Sequence, residues 1–72
     1  MANLNYRIVI EALSEADGGG YLATVPDLPG CQSDGATRAE ALTNVEDAIE
    51  SWLSWANETG RPIPEPELRH YA

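Results

Sequence analysis

Carboxylates are the side chains of this sequence with the greatest capacity for chemistry. Asp27, Asp34 and the acidic residues of a predicted helix could be imagined as ligands of a two-metal nuclease site, whose cations lie about 4 Å apart. Each has a simpler role, because Asp27 follows a proline in a turn where Asp can bond nearby backbone, and Asp34 precedes a glycine in another turn. We therefore expect no bound metal and no cofactor.

Cys31 and His70 could form a nucleophile and base pair. No third orienting group is evident, and His70 lies in a tail near the chain end that is predicted to be loose. One cysteine cannot form an internal disulfide, and one histidine leaves no zinc-type ligand cluster. We expect that the protein is not an enzyme. The unpaired cysteine and the absence of a secretory-type start predict a cytoplasmic location.

The net charge bounds the choice of partner. Twelve acidic residues stand against four arginines and no lysine, which gives a net charge of −8. Such a chain repels nucleic acid and attracts basic surfaces, so we expect no direct nucleic-acid binding by this chain alone. Two interpretations stay open here: the acidity keeps a small protein soluble, or the partner is basic.

Length and composition predict one folded domain over residues 1–72. A 43% share of hydrophobic residues is too high for a disordered chain, and the longest apolar runs are far too short to cross a membrane. A chain of 72 residues buries only about 60% of its unfolded surface, so its stability margin should be thin. Without disulfide or metal, self-association or a partner should add the missing stability.

A hairpin is predicted in the first third of the chain. Residues 4–13 alternate in polarity, residues 14–20 hold Asp17 and three glycines suited to a turn, and residues 21–25 form a second strand. The face of the first strand expected to meet the core consists of Leu4, Tyr6, Ile8, Ile10 and Ala12. Two prolines make residues 26–30 a rigid corner, and residues 31–34 predict a short third strand.

The long helix is the best-defined element. Thr37 and Glu40 have the spacing of a capping box, and Gly60 before Arg61-Pro62 supplies the stop. The apolar stripe expected to pack on the sheet consists of Ala41, Leu42, Val45, Ala48, Ile49, Trp52, Leu53 and Ala56. Trp55 falls about 80° from the centre of this stripe, where an indole covers the sheet edge or anchors a partner.

These elements predict an α+β fold. It is a three-stranded antiparallel meander with one long helix packed on one face and an extended C-terminal tail, or edge strand, from Ile63 to Glu67. The face without a helix would carry Val9, Leu13 and Leu22. That face or an exposed strand edge is a candidate for pairing with a second copy, as a homodimer or higher oligomer.

The central sequence carries a resemblance to a known family. Residues 21–49 read YLATVPDLPGCQSDGATRAEALTNVEDAI, and this segment resembles the signature of the HicB-like antitoxin family. The shared pattern runs from P-D-L-P-G-C through G-x-T-x-x-E-A into a long helix. The resemblance implies a partial RNase H-like fold that lacks the catalytic carboxylates of that enzyme class.

The resemblance also implies a function. Members of the family typically neutralise HicA, a small basic toxin that cleaves messenger RNA using a histidine, and many repress their own operon. Repressing members carry a C-terminal DNA-binding domain, whereas this sequence stops at Ala72 just after the tail. We therefore expect an antitoxin that does not bind DNA by itself. The alternative is a solitary, self-associating scaffold or regulator with no cognate toxin.

The candidate partner-binding surface combines the proline corner, the turn at Asp34, the acidic helix flank and the tail, and the rim tryptophan is a further candidate contact. Carboxylates on this surface would steer and orient a basic partner. The residues predicted to contact the partner are Asp27, Leu28, Asp34, Glu46, Asp47, Glu50 and Trp55.

Overall fold

Three short strands and one long helix make up the part of the chain that the computed structural model describes, residues 5–65. Strand β1 is Val9–Ala12, β2 is Tyr21–Thr24, β3 is Gln32–Gly35 and helix α1 is Arg38–Thr59. The predictions made for Leu4, for His70 and for the end of the tail lie outside the described residues. No helix within residues 5–65 is long and apolar enough to span a membrane.

The sheet is the predicted antiparallel meander in the order β1-β2-β3. Ile10 pairs with Ala23, which pairs on its other side with Ser33. A short 3-10 turn, Glu15–Asp17, and three glycines with positive φ close the first hairpin. The glycines are needed there because other residues rarely adopt this backbone conformation. The α+β fold with its meander and single helix is therefore confirmed.

β1 is shorter than the predicted strand. Its partner β2 ends at Thr24, and Pro26 follows soon after. Since proline has no backbone N–H, the ladder cannot continue past this point. The exposure of residues 6–11 nevertheless alternates strictly, with Tyr6, Ile8 and Ile10 more buried than their neighbours, as an extended backbone requires.

The helix begins and ends where the sequence predicts. The Thr37 hydroxyl accepts the Glu40 backbone N–H at 3.1 Å, while the Glu40 carboxylate accepts the backbone N–H of Ala36 at 2.9 Å. In a capping box the glutamate would accept the backbone N–H of the cap residue, Thr37. Here it accepts the N–H of Ala36, the residue before the cap. At the other end, Gly60 has a φ of 70° and its N–H reaches the last helical carbonyls, a left-handed cap.

The core lies between α1 and the sheet, beneath strands β2 and β3. Its buried residues are Tyr6, Ala23, Val25, Leu28, Cys31, Ala41, Val45 and Ile49. Gly35 allows the helix to approach closely, because a Cβ there would lie 2.8 Å from the carbonyl carbon of Glu40. The start of the helix is therefore in direct contact with β3.

Two predicted core positions are wrong. Leu42 is 38% exposed, and Ala12 is also exposed. The side-chain amide of Asn44 donates to the Asp34 carbonyl oxygen at 2.8 Å, which fixes that flank of the helix against β3. Leu42 lies on the opposite flank and is turned towards solvent.

The described part of the tail, residues 61–65, lies near the two tryptophans and reaches Tyr6. Residues 61–65 form no strand, so the predicted edge strand is absent from the described part of the tail. The Tyr6 hydroxyl donates to the Pro64 carbonyl oxygen. This bond joins the described end of the tail to the segment that precedes β1.

Candidate partner-binding site

The proline corner is a rigid platform held by backbone bonds. The Val25 N–H donates to the Cys31 carbonyl at 3.0 Å, and the Leu28 N–H donates to the Val25 carbonyl at 3.1 Å. These bonds turn the Leu28 side chain inward, where it is fully buried. Leu28 was predicted to lie on the contact surface, and the structure corrects this, because its side chain belongs to the core.

Trp52 joins the helix to this corner. Its indole N–H donates to the Pro29 carbonyl oxygen at 2.9 Å, and its ring is partly buried against the core. Trp55 meets the Trp52 ring edge-on, with ring centroids 5.7 Å apart, a preferred geometry for aromatic pairs. The predicted rim position of Trp55 is confirmed, since this side chain is 45% exposed.

A groove runs beside the two tryptophans. Its first part has a volume of about 590 Å³ and lies between the corner and the helix, where it also contacts Gln32, Ala48 and Ser51. A second depression of about 290 Å³ lies between the tryptophans and the tail. Pro29, Trp52 and Trp55 line both depressions. We call this surface the tryptophan groove.

Arg61 supplies a cation at the groove. The Arg61 N–H donates to the Ala56 carbonyl at 2.8 Å as the chain leaves the helix. Its guanidinium carbon then lies 5.0 Å from the centroid of the Trp55 ring, within the range of a cation–π contact. Arg61 was not among the predicted site residues, because it lies six residues from Trp55 and only the left-handed turn at Gly60 brings the two together.

Asp27 lies at the same end of the molecule as the groove. One carboxylate oxygen, Oδ2, is buried and has no hydrogen-bond partner among residues 5–65. Burial, followed by the negative charges of Asp27 and Glu65, raises the pKa of Tyr6. The Tyr6 hydroxyl therefore stays protonated and donates a hydrogen bond to the Pro64 carbonyl oxygen. This bond positions the tail along the groove.

The acidic helix residues lie in more than one direction. Asp47, Ser51 and Trp55 follow one another at spacings of four residues and form one ridge. Glu50 is exposed on the outer face, whereas Glu46 is half-buried on the other flank. Only Asp47 of the three predicted carboxylates therefore shares a ridge with Trp55. The next residue at this spacing is Thr59; Glu58 lies beside it on the same flank and was not among the predicted contact residues.

Asp34 lies apart from the groove. It is exposed in β3 and pairs across the sheet with Leu22, on the face that has no helix. The structure thus places Asp47 on one ridge with Trp55 and Asp27 in the proline corner that borders the groove, whereas the Asp34 side chain lies on the other face of the sheet and Glu46 and Glu50 lie on other faces of the helix. Within residues 5–65, no group of three His, Cys, Asp or Glu side chains is placed to hold a metal ion.

Cys31 is a core residue. Its side chain is buried, and burial raises the pKa of the Cys31 thiol. A thiol in this state is a poor nucleophile, since the thiolate is the reactive form. The predicted partner of the cysteine in a catalytic pair, His70, lies outside the described residues.

The fold and the sequence both have known relatives. The crystal structure of TTHA0281 from Thermus thermophilus is similar, with a TM-score of 0.70 and 31% identity over 89% of this chain and 83% of that one. A UPF0150 protein of Synechocystis is 39% identical over 89% of this chain and 77% of its own length. The protein named Antitoxin HicB 1 of Photorhabdus laumondii is 34% identical, and the match spans only 39% of that protein.

The fold therefore places the chain in a class of small α+β domains with one helix on a three-stranded meander. Residues 6–70 match the family described as the HicB-like antitoxin of bacterial toxin-antitoxin systems. The chain belongs to this HicB-like antitoxin family. Membership supports an antitoxin role with a toxin as partner, and it favours a binding role over an enzymatic one.

Proposed function

We propose that this protein neutralises a small basic ribonuclease toxin of the HicA type by binding it with the tryptophan groove and the adjoining acidic ridge. The observation that carries the proposal is the exposure of Trp55, 45%, beside a rigid proline corner. Tryptophan is the residue most often found at the energetic centre of protein interfaces. Because the ring is already held by Trp52 and Arg61, little side-chain freedom is lost on binding.

Charge supports a basic partner. The whole chain has a net charge of −8. Asp47 lies on the ridge that contains Trp55, and Glu58 lies on the same flank of the helix one turn beyond Trp55. Opposite charges of this kind raise the rate of association and orient the two proteins. A basic toxin would place arginine or lysine along the ridge and an apolar side chain in the groove. The complex would form in the cytoplasm, where messenger RNA is found.

The test is co-expression of the protein with the product of a neighbouring reading frame, followed by purification and an RNA cleavage assay. We expect a stable complex in which cleavage of messenger RNA is abolished, and release of cleavage with the variant Trp55→Ala. The matched control is Leu42→Ala, which also removes a partly exposed apolar side chain from the helix but on the flank away from the groove. Equal inhibition by the parent and Trp55→Ala would refute the groove as the binding surface.

Self-association without a toxin is the second candidate function, and the 39% exposure of Val9 on the face of the sheet without a helix favours it. It predicts that no neighbouring reading frame yields a bound ribonuclease and that the purified protein is an oligomer by itself. Failure to recover any complex, with the protein eluting as a defined oligomer, would replace the antitoxin proposal by a scaffold function.

A further inference from the structure

We propose that the outer edge of β3 receives an extended segment of the basic partner, which adds a strand to the three-stranded sheet. The side chains of this segment alternate: apolar residues enter the tryptophan groove, and a basic residue lies beside Asp34 on the other face of the sheet. The inference rests on the proposed binding function and names the part of the partner that the groove receives.

The backbone of β3 presents unpaired groups along its outer edge. Thr24 of β2 faces Gln32 of β3, and one step further the Val25 N–H donates to the Cys31 carbonyl oxygen at 3.0 Å. Cys31 therefore points its backbone groups towards β2. Because alternate residues of an antiparallel ladder point these groups the same way, Gln32 and Asp34 point theirs outward.

A side-chain bond agrees with this orientation. The amide of Asn44 donates to the Asp34 carbonyl oxygen at 2.8 Å, which requires that this oxygen points away from β2. Asn44 thus occupies one acceptor of the edge. The Asp34 N–H and both backbone groups of Gln32 make no other bond within residues 5–65, and β2 is the one strand that pairs with β3 in this part of the chain.

The chain leaves its described part on the other side of the sheet. Asn5 is next to Tyr6 in the sequence, and the Tyr6 hydroxyl donates to the carbonyl oxygen of Pro64, next to Glu65. Tyr6 precedes β1, and β2 separates β1 from β3. The outer edge of β3 therefore lies away from both points at which the described chain ends.

The helix forms a second wall beside this edge. The first part of the tryptophan groove lies between Cys31 and Gln32 on one side and Ala48, Ser51 and Trp52 on the other. A strand added to β3 would place alternate side chains on the helix side and on the opposite face. Its residue opposite Cys31 would point to the helix side and enter the groove, where Ala48 and Trp52 favour an apolar side chain.

The opposite face selects a basic residue. The Asp34 side chain is exposed there, on the face that has no helix. A partner residue opposite Asp34 would lie on that same face, and opposite charges in such a pair stabilise the pairing of strands. The net charge of −8 favours the same choice. One strand of alternating apolar and basic residues would therefore contact both the groove and Asp34, although they lie on different faces.

Backbone amide exchange, followed by NMR, tests the edge with the toxin. In the protein alone, the Gln32 and Asp34 amides should exchange rapidly, whereas the Ser33 amide, which points towards β2, should exchange slowly. In the complex with the ribonuclease from the neighbouring reading frame, exchange at Gln32 and Asp34 should slow by about tenfold or more. Slow exchange at Gln32 in the protein alone would show that a second copy or the chain itself already occupies the edge, and would overturn the proposal.

The same measurement separates the two proposals. A complex in which RNA cleavage is abolished while the Gln32 amide still exchanges rapidly would overturn the strand pairing and leave the proposed function standing. If no ribonuclease is recovered, the proposed function fails, and a peptide decides whether the edge binds a basic strand.

The peptide probe is a synthetic chain of alternating valine and arginine. The control peptide has the same composition, with all arginines placed before all valines. We expect the alternating peptide to slow amide exchange at Gln32 and Asp34 and to shift the indole signal of Trp55, and the control peptide to bind about tenfold more weakly or less. Equal binding of the two peptides would show that charge alone attracts them and would overturn the proposal.

Two substitutions at one position test the backbone contact. Gln32→Pro removes the outward N–H, and proline is tolerated on an edge strand where the N–H faces solvent. We expect it to weaken binding of the toxin and of the alternating peptide by about tenfold or more, through the lost bond and the bulk of the ring. Gln32→Ala keeps the N–H and should bind as the parent does. Parent-like binding by a Gln32→Pro variant that is folded by circular dichroism would overturn the proposal.

Discussion

The indole N–H of Trp52 donates to the carbonyl oxygen of Pro29 at 2.9 Å, across 23 residues of sequence. This bond connects the middle of the helix to the proline corner and fixes one wall of the tryptophan groove. It adds a side-chain bond to the backbone bonds that hold the corner. The stability of the corner and the shape of the groove should therefore change together.

We predict that Trp52→Phe lowers the free energy of unfolding by about 1 kcal/mol or more, because one hydrogen bond is lost and the Pro29 carbonyl loses its partner. Urea unfolding followed by far-UV circular dichroism measures the change. Trp55→Phe is the control, since no indole hydrogen bond of Trp55 is seen within residues 5–65, and it should change stability much less. Equal losses in the two variants would contradict a structural role for the Trp52 bond.

Gly35→Ala should be among the most destabilising single changes. A Cβ at this position would lie 2.8 Å from the carbonyl carbon of Glu40, so the helix must move away from β3, at a cost of about 2 kcal/mol or more. In Gly30→Ala the new Cβ would meet no atom within 4 Å. The only penalty is that alanine must adopt a φ of 79°, which costs about 1 kcal/mol. Thermal unfolding should rank the two variants in this order.

Thr37→Ala tests the helix cap. The Thr37 hydroxyl accepts the Glu40 N–H, and loss of such a cap costs about 1 kcal/mol. Thr43→Ala makes the same chemical change at an exposed position inside the helix, where alanine has the higher helix propensity. We expect the first variant to lower the midpoint of urea unfolding and the second to leave it unchanged or raise it slightly.

Stability should fall at alkaline pH because of Tyr6. Burial and the charges of Asp27 and Glu65 raise the pKa of Tyr6 in the folded state, whereas the unfolded value is about 10. The folded state therefore keeps the Tyr6 proton to a higher pH than the unfolded state does. The stability that the neutral hydroxyl contributes is present below about pH 10 and is lost as the pH rises through the pKa of Tyr6 in the folded state. Urea unfolding between about pH 8 and 11 should show a smaller decline for Tyr6→Phe than for the parent.

Charge reversal on the exposed helix face should weaken toxin binding. Asp47→Lys with Glu58→Lys places two positive charges on the flank of the helix that carries Trp55, where a basic partner would approach, while Glu46 and Glu50 are left unchanged because they lie on other faces. We expect the double variant to slow association and to bind about tenfold more weakly, or weaker still, at low salt. Glu15→Lys with Asp17→Lys makes the same charge change on the hairpin turn and should bind as the parent does.

Local sequence signals predicted most of the fold. The cap at Thr37, the stop at Gly60 and the proline corner depend on a few neighbouring residues, so their chemistry can be read directly from the chain. The rotation of the helix about its axis cannot be read in this way. It depends on the hydrogen bond between the Asn44 side chain and the Asp34 carbonyl, which joins the helix to β3. For this reason Leu42 was predicted to be buried although it is exposed.

The candidate site was predicted only in part. Trp55 was expected at the rim because its angle on the helix is fixed by its spacing from the stripe. Leu28 was misplaced because the turn bonds that direct it inward involve Val25 and Cys31, and the sequence of the loop does not show which of its side chains these bonds turn inward. The groove itself is formed by the helix, the corner and the tail together, so no single segment of sequence contains it.

The paired tryptophans also give the protein a built-in optical probe. The chain has only two tryptophans, and both line the same groove. Their fluorescence therefore reports on one end of the molecule, and a partner that fills the groove should shift or quench the emission. A second copy that joins at the face of the sheet without a helix would leave the emission unchanged. One spectrum, recorded during a titration, can thus tell the two kinds of assembly apart.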